Sequence, residues 1–167
     1  RKLLLLSDFP DSFERLIQSV KSIKEFEFSV VTAKTDYQKP QEVSKTIQAE
    51  APDILFFGLP RTNLNSGNIP LSLDYIDVPM ILLPPIPDLI MMEANVAAAF
   101  RAKGSNALLA NSETHAIELM KILAVPRLLE GKRAVIYGRP FDSTSVPARN
   151  LTAATIYNRT GVRLEFR

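Results

Sequence analysis

Short apolar runs of strand length alternate with helical periodicities from one end of this chain to the other. That alternation constrains the fold more than any other feature. Leu3–Leu6 is an unbroken apolar run, the pattern of a strand covered on both faces. Behind it, Phe13, Leu16, Ile17 and Val20 fall at i, i+3, i+4 and i+7 and define one buried helix face. Asp11 and Glu14 stand ahead of that face as a capping-box-like pair. Phe26–Thr32 reads as the second strand. Pro40 occupies the first position of a helix carrying Val43 and Ile47, which Pro52 brings to an end near Glu50.

The same rhythm continues. Ile54–Phe57 and Val78–Leu83 are the third and fourth strands, separated by a polar loop over 61–77. An alanine-rich helix covers Leu89–Lys103, with Gly104 as its stop signal. Ala107–Ala110 is a short fifth strand. Asn111 and Ser112 cap a helix carrying Ala116, Ile117, Met120, Leu123 and Ala124, which Pro126 interrupts or kinks. A further strand at 133–137 runs into a Gly138-Arg139-Pro140 turn, a polar loop, a helix over Ala148–Thr160 and a last strand, Val162–Phe166.

Strands alternating with helices imply parallel pairing. The expected fold is α/β, a doubly wound, mostly parallel sheet of the Rossmann or flavodoxin-like three-layer type. Residues 1–123 are expected to form an N-terminal α/β domain. Residues 124–167 would supply the end of a linker helix and the β-α-β opening of a second α/β domain, or a continuation of the same sheet.

Composition narrows the function classes. The 167 residues include no cysteine, which excludes disulfides, thiolate catalysis and cysteine-ligated metals from this chain. A formal net charge of +2 with scattered basic residues offers no block for nucleic acid or an anionic membrane surface. The apolar core of Arg1–Asp8 is four residues long, below the roughly 7–15 of a secretion signal. No run is long enough for a membrane helix. The expected compartment is the cytoplasm. Phosphate-loop, dinucleotide-binding and nucleophile-elbow signatures are all missing. The third strand ends in Phe57-Gly58 instead of an aspartate, which counts against a phospho-accepting receiver.

In an open parallel sheet, ligands gather outside the carboxyl ends of the strands. Asp8 lies at the first such end, where a carboxylate can hold a sugar hydroxyl or a cation, or else serve the loop or the first helix as a cap. Arg61 follows Gly58-Leu59-Pro60 and offers a planar fork to an anion, or is a surface arginine. Asn111, with Ser112 and Glu113, sits at a helix start that favours an anion or a hydroxyl, or simply caps the helix. Asp142 and Ser143, with Thr144, form the most ligand-like cluster, although such residues are also routine turn material. His115 is the single histidine and has no evident second metal ligand beside it.

The segment Ala124-Val125-Pro126-Arg127-Leu128-Leu129-Glu130-Gly131-Lys132-Arg133-Ala134-Val135-Ile136-Tyr137-Gly138 resembles the passage between the first and second domains of the L-fucose/L-arabinose isomerase-like family. Gly161-Val162 is similar to that family's entry into the second strand of the second domain. The resemblance implies a metal-dependent aldose–ketose isomerase, with manganese held by carboxylates and a histidine. Those ligands belong to later domains of the family, so no catalytic or metal residue carries over to this chain. It also implies that this portion shapes the substrate mouth and subunit contacts, is inactive alone, and belongs to a homo-oligomer when intact. Asp8 and the loop after Gly58 would then be the substrate contacts, with a small sugar as partner. Two other readings stay open: a small-ligand or sugar-binding α/β module without catalysis, and a self-contained domain acting through its surface.

Overall fold

The computed structural model describes residues 1–24, 26–36, 39–59, 76–84, 90–129, 131–137, 154, 156–157 and 161–167. Its arrangement follows from β1 (Lys2–Ser7), whose Leu3, Leu4, Leu5 and Leu6 are all 0% exposed. A strand with side chains buried on both faces needs cover on both faces and a neighbour along each edge. β1 has both neighbours: β2 (Ser29–Lys34) on one side and β3 (Ile54–Gly58) on the other, each parallel to it. β4 (Met80–Leu83) and β5 (Ala107–Leu109) extend the sheet, again in parallel. The strand order is β2-β1-β3-β4-β5, the flavodoxin-like order of a doubly wound α/β fold.

The register sorts the core into rows. Val31, Leu4, Leu55, Met80 and Ala107 lie side by side across the sheet, and Ala33, Leu6, Phe57, Leu82 and Leu109 form the next row. Both rows belong to one apolar cluster. Val43 and Ile47 of α2 (Pro40–Glu50) join it, as do Val96, Ala97 and Phe100 of α3 (Ile90–Ala102). Phe57 and Phe100 meet edge to face with centroids 6.0 Å apart. The alternate residues Leu3, Leu5, Ile54, Phe56 and Ile81 are equally buried and belong to the other face of the sheet. There Phe13 reaches Gly58. Leu16 and Val20 of α1 (Glu14–Lys21) are buried outside the first cluster, and so are Ala116 and Met120 of α4 (Glu113–Leu129).

Local chemistry sets the element ends. Pro40 starts α2 and Pro52 disfavours a right-handed helical conformation at Ala51. Ala51 turns instead into the left-handed region at φ 41°, with its N–H still donating to the Ile47 carbonyl at 3.0 Å. Gly104, at φ 89°, ends the turn after α3 in the same region, where a glycine meets no steric cost.

Several boundaries depart from the sequence reading. The second strand begins at Ser29, because Phe26 and Phe28 turn towards each other with ring centroids 5.5 Å apart before the ladder starts. The pairing begins only at Lys2 with Ser29. Asp11 and Glu14 do not make a capping box. Pro10 opens a short 3-10 turn over Pro10–Phe13, α1 follows from Glu14, and neither has a side-chain cap bond. Of the interruption or kink expected at Pro126, the interruption is overturned, since α4 continues to Leu129. A proline inside a helix removes one amide donor and crowds the carbonyl four residues back, which bends a helix without having to end it. The loop over 61–77 falls almost wholly outside the described residues, as does most of the helix expected over 148–160.

The chain divides into two compact units, Arg1–Lys121 and Ile122–Arg167. The second holds a separate two-stranded parallel sheet of β6 (Arg133–Ile136) and β7 (Arg163–Phe166). Arg133 and Glu165 pair across it at 3.1 Å, on the same face as Arg167. Among the described residues, no helix is long and apolar enough to cross a membrane.

Two substitutions test this account. Phe57→Ala removes a fully buried ring from the centre of the first cluster and should cost about 3–5 kcal/mol in urea denaturation. Ala51→Gly should raise stability in the same assay by roughly 0.5–1 kcal/mol, because it relieves the left-handed strain.

Candidate functional site

All five strands of the first sheet run parallel, so their carboxyl ends share one edge. The strand order reverses between β1 and β3, which places the topological switch point at Ser7 and Gly58. The chemistry of that point begins with Ser7. It is the last residue of β1 and 1% exposed, so its hydroxyl needs partners. Its Oγ accepts the Phe9 N–H at 3.1 Å, a local serine turn that sequence spacing alone allows. The same hydroxyl donates to Asp8 Oδ1 across 3.5 Å. The Ser7 carbonyl in turn accepts the N–H of Thr35, itself buried, at 2.9 Å, which ties the end of β1 to the residue after β2.

Asp8 is therefore held at its root and half-buried. Oδ2 has no hydrogen-bond partner among the described residues. Nor does Asp8 cap the following turn: the residue in the cap position is Phe9, and no side chain bonds the free amides there. The second oxygen of Asp8, without a partner among the described residues, is suited to a hydroxyl donor. On the β3 side, Gly58 admits no side chain. A Cβ there would lie 2.7 Å from Phe13 Cε2 and 2.9 Å from both Cβ and Oγ of Ser7. Phe13 thus closes the floor between the two strand ends, and β3 contributes no carboxylate at this point. Phe9, next to Asp8 in the chain, is 52% exposed.

Asn111 occupies a different place. β5 lies beyond β3 and β4 from β1, which is about 14 Å at ~4.8 Å per strand spacing. A single monosaccharide does not bridge that distance. The local geometry at Asn111 is that of a helix cap. Ser112 Oγ accepts the His115 N–H at 3.1 Å and donates to Asn111 Oδ1 at 3.2 Å. His115 Nδ1 accepts the Asn111 N–H at 3.2 Å, so the neutral ring carries its proton on Nε2. Histidine stands where a capping box has Glu or Gln, but it accepts the N–H of Asn111, one residue before the cap, and not that of Ser112. Ser112 Oγ, Asn111 Oδ1 and His115 Nδ1 are thus engaged by the backbone or by one another.

Arg61, Asp142 and Ser143 lie outside the described residues. Among those described, no group of three or more His, Asp or Glu side chains could hold a metal ion. Phe9 is the feature of this edge that sequence reasoning passed over. The signal was present, an aromatic directly after a strand-end acid and before Pro10, but such a residue ordinarily packs into the core.

No protein-family model matches this chain, and no curated protein does. Among solved structures it is similar to the crystal structure of a CheY-like protein (tadZ) from Pseudomonas aeruginosa PAO1. That match has a TM-score of 0.43 and 16% identity, covering 74% of this chain and 92% of that one.

The cap reading of Ser112 and His115 has a direct test. Ser112→Ala should lower stability by about 1 kcal/mol in chemical denaturation and leave any ligand affinity of the chain unchanged.

Proposed function

We propose that this chain is the N-terminal portion of a sugar isomerase-like (aldose–ketose) protein, shaping the substrate mouth and not catalytic alone. One observation carries the reading. The chain divides at Ile122, and a separate parallel sheet starts at Arg133, within the segment 124–138 that bears the family resemblance. The edge at Ser7, Asp8 and Gly58 then serves as the first unit's contribution to the sugar site. Manganese belongs to the intact protein under this reading and takes no ligand from the described residues. The partner is a small sugar, the intact protein is a homo-oligomer, and its compartment is the cytoplasm.

A second reading has its own support, the Asp8 Oδ2 at the switch point, which has no partner among the described residues. On that account the chain is a small-ligand or sugar-binding α/β module without catalysis. Ketose formation from L-fucose and L-arabinose, measured on the native gene product with manganese, separates the two. Metal-dependent ketose formation supports the isomerase reading. Saturable sugar binding without turnover leaves the binding module, and neither result overturns both.

Asp8→Ala should weaken sugar binding roughly ten- to a hundredfold, as expected for losing a hydrogen bond to a charged group. Thermal stability should stay nearly unchanged, because among the described residues Asp8 accepts one long bond, from Ser7. Unchanged affinity with a large fall in stability would make Asp8 a structural residue.

A further inference from the structure

Phe9 sits where a helical turn prefers Ser, Thr, Asp or Asn, and it supplies no cap bond. Its ring is half-exposed, so it adds little to the core either. Its backbone, by contrast, is fixed from both sides. The N–H donates to Ser7 Oγ at 3.1 Å, and the carbonyl accepts both the N–H of Ser12 at 3.1 Å and its hydroxyl at 2.7 Å. A residue that breaks a local rule, shows an apolar ring to solvent and is rigidly rooted is the kind of departure that functional sites show. Its neighbour in the chain is Asp8, with a carboxylate oxygen free among the described residues. Both stand at the β1 end of the switch point.

We infer that Phe9 and Asp8 form one sugar subsite, in which the ring of Phe9 stacks on the C–H face of a cyclic sugar while Asp8 accepts a hydroxyl proton from its rim. The chemistry fits both halves. The face of an aromatic ring is electron-rich and attracts weakly positive C–H groups. A pyranose turns several axial C–H bonds to one side and its equatorial hydroxyls outward to the rim. An open-chain polyol has no such flat apolar face. The subsite therefore selects the ring form over the acyclic form. This inference rests on the sugar-binding reading above and adds to it the form of sugar taken and the residue that selects it.

The test is calorimetric titration of the native gene product with methyl α-L-fucopyranoside and methyl β-L-arabinopyranoside, both locked as rings, and with L-fucitol and L-arabinitol, which cannot close. The wild-type chain should favour a glycoside over its alditol. Phe9→Ala should weaken glycoside binding roughly three- to tenfold and leave the alditol unmoved, whereas Phe9→Tyr should keep the preference. Upfield ring-current shifts of the sugar C–H protons should appear with the wild-type chain and disappear with Phe9→Ala. Should Phe9→Ala fail to fold, those shifts on the wild-type chain and the retained preference of Phe9→Tyr decide the matter. An Asp8→Ala variant that loses binding beside a Phe9→Ala variant that does not would overturn the stacking and spare the sugar reading. Equal losses for glycoside and alditol would also overturn it. Absence of binding to any of the four by the native gene product would overturn both.

Discussion

The burial of four consecutive leucines in β1 is the constraint on which the first unit depends. No position in that run can face water, so the strand has to lie inside the sheet, with an apolar layer above and below. Each buried leucine is worth roughly 1.5–3 kcal/mol, which commits the chain to that arrangement before any loop is considered. Parallel pairing with β2 and β3 follows, because the intervening helices carry the chain back across a face each time. All strand ends of one sense then collect at one edge. The polar residues after β1 are delivered there by a strand held in parallel register by a neighbour along each edge.

The elements most readily legible in the sequence are those with strong local punctuation. α2 lies between two prolines, and its two inward residues, Val43 and Ile47, are i and i+4. β3 and β4 are short apolar runs closed by Gly58 and Pro84. Less legible were places where two residues satisfy each other outside the ladder. Phe26 and Phe28 have strand composition, yet their pairing precedes the strand. Asp11 and Glu14 have capping-box spacing, yet Pro10 takes the chain into a tighter turn first. A three-residue spacing cannot distinguish these outcomes, because the competing turn costs little.

The candidate site was legible as an edge and not as a constellation. Strand ends can be found one at a time, whereas which ends adjoin depends on a strand order that no local pattern encodes. Asp8 and Asn111 read alike in sequence, each a polar residue after an apolar run. The order β2-β1-β3-β4-β5 sets them apart on the sheet, one at the switch point and one in a cap shared with Ser112 and His115. The exposure of Phe9 was equally hidden, since an aromatic four residues ahead of Phe13 reads as another core contact.

Gly58 and Phe13 share a single volume. The missing Cβ on β3 and the ring from the turn before α1 are two halves of one filled space, contributed by residues far apart in the chain. Neither half can drift alone through evolution. A side chain gained at position 58 has to be matched by a smaller one at position 13 and by a shift of Ser7, whose Cβ and Oγ crowd the same point, and a lost ring leaves a hollow under the edge. These two positions should therefore exchange bulk as a coupled pair wherever the chain has diverged, so that the depth of the edge beside Asp8 is inherited as one trait.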